Sequence, residues 1–110
     1  MPLFGRARIE VYLPDRGDGA YLRLYSAFER EFLYTFGGCT VISGIKGLYL
    51  STDRVAAADK INLIYADTPF EFDTWSENLS KYRNGLKHLV LESSDEESVL
   101  IVVHQIYHSV

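Results

Sequence analysis

The sequence predicts an α+β fold with the element order β-α-β-β-α-β. Three observations carry that prediction. Residues 7–13, ARIEVYL, alternate strictly between two faces, the period-two signature of a half-buried strand. Two longer segments, 20–36 and from about Thr74 onward, space aromatic and aliphatic residues by three and four, as an amphipathic helix does. The other apolar segments are rich in β-branched residues and read as strands.

In the first strand Ala7, Ile9, Val11 and Leu13 face one way and Arg8, Glu10 and Tyr12 the other. PDRGDG stops it, because Pro14 lacks a donor and glycines punctuate a turn. The first helix, 20–36, carries Tyr21, Tyr25, Phe28 and Phe32 on its stripe with Leu24 beside them. Gly37 falls where a glycine accepts the left-handed conformation that ends a helix. CTVISGIKGLYLS reads as a strand whose facing is reset by a bulge at Gly44 or Gly47. TDRVAAAD reads as a connection and KINLIYAD as the hairpin partner. The second helix starts near Thr74, with Thr74 and Glu77 spaced for a capping box, and carries Trp75, Leu79, Tyr82, Leu86 and Leu89. ESSDEES reads as an acidic loop and VLIVVHQIYHSV as a long last strand.

This layout resembles the ferredoxin-like plait, a four-stranded antiparallel sheet with both helices on one face. The resemblance is architectural and selects no function, since that fold hosts many. The 110 residues are expected to form one domain.

In such a plait one sheet face meets the helices and the other meets water, so one parity of each strand should be polar. The first strand obeys. The last does not: Val99, Ile101 and Val103 hold one parity, Leu100, Val102 and Ile106 the other. A strand apolar on both faces is usually covered on both. A second copy of the chain, stacked sheet to sheet, is the expected cover, giving a homodimer that resembles a dimeric α+β barrel.

With 47% hydrophobic and 24% charged residues the chain is globular. A net charge of −4 argues against nucleic acid as a partner, because that affinity comes largely from Lys and Arg on phosphates. One cysteine allows no internal disulfide and no four-thiolate zinc site. No apolar run reaches the length of a signal peptide or a membrane span. The expectation is a cytoplasmic protein with no membrane partner.

FGGCTVISGIKGLYLS, residues 36–51, invites a search for a phosphate cradle. Its glycine spacing fits neither a Walker nor a Rossmann pattern, and no Gly-Lys-Ser/Thr follows. Gly44-Ile45-Lys46-Gly47 has GxxG spacing, but it lies in a strand and not between the helices of an RNA-clamping loop. No cofactor is implied. Cys39 follows a helix C-terminus, which disfavours a thiolate, and reads as a small buried apolar residue. His104 and His108 share a strand parity but lie about 13 Å apart along it, so no metal site is expected.

His104 is the residue that points furthest toward chemistry. In a plait the first and last strands are neighbours, so His104 can stand beside Glu10. A carboxylate that orients an imidazole is a recurring acid–base device. Arg8 would hold charge, and Tyr12, Tyr49 or Asn62 would donate hydrogen bonds. The plainer reading is a cross-strand polar pair that stabilises the sheet. Three functions follow in order. The first is a small homodimeric ligand-binding or accessory domain whose ligand is a small molecule or a partner protein. The second is a cofactor-independent enzyme of dimeric-barrel type, with His104 as acid–base and Glu10 orienting it. The third is a single-stranded RNA binder using Lys46 and Tyr49.

Overall fold

The computed structural model describes residues 3–15, 19–93 and 100–109, with side chains except at positions 3, 4, 20, 49, 93, 108 and 109. The acidic segment from residue 94 and the centre of PDRGDG lie outside the described residues. The elements are β1 (Leu3–Pro14), α1 (Gly19–Phe36), β2 (Thr40–Leu50), β3 (Ala56–Asp67), α2 (Ser76–Ser93) and β4 (Leu100–Ser109). The sheet order is β2-β3-β1-β4, with every neighbouring pair antiparallel. The fold is the ferredoxin-like α+β arrangement.

The core follows from strand alternation. Ala7, Ile9, Val11 and Leu13 are fully buried, as are Ile64 and Ala66 on β3, and Ile101 on β4 is nearly so. Leu24, Phe28 and Phe32 of α1 and Leu79, Leu86 and Val90 of α2 pack against them, so both helices cover the same sheet face. Burying an aromatic side chain of this size contributes about 1.5–3 kcal/mol, which makes Phe28 and Phe32 the chief anchors of α1. The α2 stripe closes on Val90, while Leu89 is exposed.

Three boundaries differ from the sequence reading. β1 begins at Leu3, since it pairs with β4 from Leu3↔Ser109 to Tyr12↔Leu100. β3 begins at Ala56: three alanines of low strand propensity are held by pairing with Leu48, Tyr49 and Leu50. α2 begins at Ser76, preceded by a turn in which the Trp75 N–H donates to the Glu71 carbonyl at 3.1 Å.

Gly37 has φ +85° and donates its N–H to the Leu33 carbonyl at 2.9 Å, closing α1. The β2 bulge lies between Ile42 and Ile45, with Gly44 at φ +73°. Past the bulge, β2 and β3 project as a hairpin arm, and the molecule measures 48 × 28 × 24 Å. On that arm Leu48 is 73% and Leu50 65% exposed.

Candidate functional site

The sheet face away from the helices carries Arg8, Glu10 and Tyr12 of β1. Register decides what joins them. Arg8 pairs with His104 and Glu10 with Val102, so His104 is the diagonal neighbour of Glu10 on the same face. The His104 Nε2 contacts the Glu10 Oε1. The Tyr12 hydroxyl donates to the other carboxylate oxygen, Oε2, at 2.5 Å. The Glu10 side chain is 14% exposed and that of His104 39%. The hydrogen bond to Glu10, with burial adding to it, holds the Tyr12 hydroxyl above its ordinary pKa.

On the other side of β1, Glu10 pairs with Tyr65 and Arg8 with Asp67. The Arg8 guanidinium donates to both Asp67 oxygens, Nε to Oδ1 at 2.6 Å and the second bond at 3.0 Å. Its carbon lies 4.3 Å from the Tyr65 ring centroid. The Asp67 bond raises the guanidinium pKa further, so Arg8 is a fixed cation. Tyr65 and Asp67 escaped the sequence reading. The signal was present, because placing β3 beside β1 in antiparallel register puts both opposite Arg8 and Glu10.

Six polar side chains therefore converge: Arg8, Glu10, Tyr12, Tyr65, Asp67 and His104. Two of them, Tyr65 and Asp67, line a hollow of about 350 Å³ together with Phe36, Gly37, Gly38, Cys39 and Thr40. Apolar residues surround the cluster. Ile42 and Leu100 are exposed, and Leu63, Val102 and Ile106 are half-buried.

Two expected members do not join. Asn62 pairs with Leu13 and so faces the helices, 8% exposed. Its Oδ1 accepts the Gly44 N–H and its Nδ2 donates to the Asp15 carboxylate, both at 3.3 Å. It clamps the bulge to the end of β1. The Tyr49 backbone pairs with Ala57 on the arm, eight residues along β3 from Tyr65, or about 26 Å at strand rise.

Chemically, Glu10 fixes the imidazole by one nitrogen. The other, Nδ1, has no partner among the described residues. Such an imidazole is oriented to accept or donate a proton, or a hydrogen bond, to a molecule on the face. Cys39 donates its thiol to the Glu29 carbonyl at 3.9 Å. Burial, and then Glu29, pushes that thiol up, away from nucleophilic use. Among the described residues no three His, Cys, Asp or Glu side chains group as metal ligands. No described helix is long and apolar enough to cross a membrane.

No protein-family model and no curated protein matches the sequence. Solved structures share its fold. CutA1 from Oryza sativa superposes with a TM-score of 0.60 at 15% identity, over 96% of this chain and 83% of that one. CPII, a nitrogen regulatory PII-like protein from Thiomonas intermedia K12 bound to ADP, AMP and bicarbonate, superposes with a TM-score of 0.56 at 19% identity, over 99% of this chain and 100% of that one. At these identities the likeness establishes the α+β plait and nothing of the site.

Proposed function

We propose that the protein is a small ligand-binding domain that works as a homodimer closed over its open sheet face. Arg8, Glu10, Tyr12 and His104 hold the ligand. One observation carries the reading: these four, with Tyr65 and Asp67, meet in the middle of an apolar sheet face that the single chain leaves uncovered. The face also has the extent a stable dimer needs. Its strands are ten to twelve residues long, with a rise of about 3.3 Å per residue and a spacing of about 4.8 Å. The resulting area of roughly 700 Å² compares with about 800 Å² buried per partner in standard interfaces. Binding of ADP, AMP and bicarbonate by CPII supports small-molecule binding on this fold and supplies the first probes.

Native mass spectrometry of the purified chain tests the assembly and reveals any retained molecule. A dimer that Leu100→Lys and Ile42→Lys convert to monomer is the expected result; a parent monomer overturns the homodimer. Calorimetric titration with ADP, AMP and bicarbonate tests the site, with His104→Ala expected to weaken whichever binds. Binding unchanged in that variant removes His104 from the site.

The contact between Glu10 and His104 favours a second reading, a cofactor-independent enzyme in which Glu10 orients His104 for acid–base work. It requires that His104→Ala abolish turnover while the fold persists. RNA binding fits less well, since Lys46 lies on the arm at the opposite parity from the open face.

A further inference from the structure

A second cavity lies on the helix side of the sheet, away from His104. It occupies about 210 Å³ between the end of α1 and the start of α2. Four aromatic side chains line it, Phe36, Phe70, Trp75 and Tyr82, with Thr35 and Asn78 as polar edges. Their rings stand as walls. Phe36 meets Phe70 at 80° and Tyr82 at 78°, with centroids 6.5 and 5.6 Å apart. Phe70 and Trp75 lie 5.1 Å apart at 45°. Trp75, the one tryptophan, is 42% exposed, so the box has an open side.

Among the described residues no charged side chain of either sign lines the cavity. The Tyr82 hydroxyl, at 2.7 Å, and the Thr35 hydroxyl, at 3.1 Å, both donate to the Glu31 Oε1, which fixes a carboxylate behind these two lining residues. Glu71 and Asp73 stand exposed beside Trp75 in the chain. The C-terminal end of α1 adds partial negative charge. At the opposing N-terminal end of α2, which is partially positive, Glu77 in the first turn is ion-paired with Lys81 at 3.7 Å. Aromatic faces attract cations. A cavity of roughly 150 Å³ takes a benzene ring, so this one admits a compact alkylated head group.

We propose that the Phe36–Phe70–Trp75–Tyr82 box binds a quaternary ammonium group, an aromatic cage with the Glu31 carboxylate held behind its Tyr82 and Thr35 hydroxyls. The head group can come from a small free molecule or from a trimethylated lysine side chain. Calorimetry with choline and its neutral isostere, 3,3-dimethylbutan-1-ol, tests the charge preference. Choline is expected to bind and to change Trp75 fluorescence, with the alcohol weaker by about tenfold or more. Trp75→Ala is expected to lose choline binding with an unchanged far-ultraviolet circular dichroism spectrum. Trp75→Phe should retain weakened binding, and His104→Ala should leave it intact. Glu31→Gln should weaken choline and spare the alcohol. A short peptide carrying trimethyllysine separates the sources: tighter peptide binding assigns the box to a modified protein, tighter choline binding to a small molecule. The proposal is overturned if millimolar choline does not bind, if the alcohol binds equally well, or if Trp75→Ala binds choline like the parent.

Discussion

Glu10 and His104 stand 94 residues apart in the chain and meet side chain to side chain on the open sheet face. They are not direct cross-strand partners. Arg8 holds that place opposite His104, and the imidazole leans diagonally to the carboxylate. Glu10 thereby accepts from Tyr12 along its own strand and contacts His104 across the ladder.

Removing Glu10 should therefore cost more than removing His104. Glu10→Ala leaves the Tyr12 hydroxyl without its acceptor and should destabilise by about 1–2 kcal/mol. His104→Ala should cost less than about 1 kcal/mol, because the imidazole is more than a third exposed and the pair is screened. Urea unfolding of both variants checks the order. Equal midpoints would show that the Tyr12–Glu10 bond adds nothing to stability.

Two glycines of β2 should respond differently to alanine. At Gly44 a Cβ would meet nothing within 4 Å, but φ is +73°, a conformation that costs an L-residue about 1–2 kcal/mol. At Gly47 a Cβ would lie 2.6 Å from the Ile61 Cδ1, the mobile end of a side chain that can turn aside. Thermal melts should place Gly44→Ala below Gly47→Ala. The reverse order would mean that packing on the arm, and not backbone strain at the bulge, dominates.

Two tyrosines make the protein sensitive to alkali. Tyr12 is raised above its ordinary 10.0 chiefly by its bond to Glu10, and Tyr82 is raised further, by burial and then by Glu31. A hydroxyl with a higher pKa in the folded state binds its proton more tightly there than when unfolded. Its contribution is complete below the unfolded value and is lost as pH rises through the folded one. Melting temperature should fall from about pH 10 upward, the region of ordinary tyrosine titration. Tyr82→Phe should flatten that fall more than Tyr12→Phe. A profile identical in parent and Tyr82→Phe would contradict the burial of this hydroxyl.

Cys39 should react slowly. Burial and Glu29 both raise its thiol, so less thiolate is present at neutral pH than for an exposed cysteine. Iodoacetamide labelling should be several-fold slower in the folded protein than in urea. Equal rates would place the thiol in solvent.

Much of the fold was legible in the residues. The strict alternation of 7–13 set the two faces of β1, and the aromatic spacing of 20–36 set the buried stripe of α1. Gly37 announced the helix end, and Gly44 or Gly47 the bulge, which falls at Gly44. These are local rules, each read within one or two turns or one strand. The extension of β3 through Ala56–Ala58 was not legible, because its cause is pairing with β2 and not the propensity of alanine.

The site divides in the same way. Sequence alone determined that Arg8, Glu10 and Tyr12 share a face, since side-chain direction on a strand has a period of two. Only the tertiary structure decided which β4 residue reaches Glu10, because register between strands 90 residues apart depends on how the whole sheet closes. It also turned Asn62 toward the helices, brought Tyr65 and Asp67 to Arg8, and carried Tyr49 out along the arm. Between strands, a shift of one residue exchanges the two faces. Composition and spacing fix each strand's faces, and packing chooses the register that joins them.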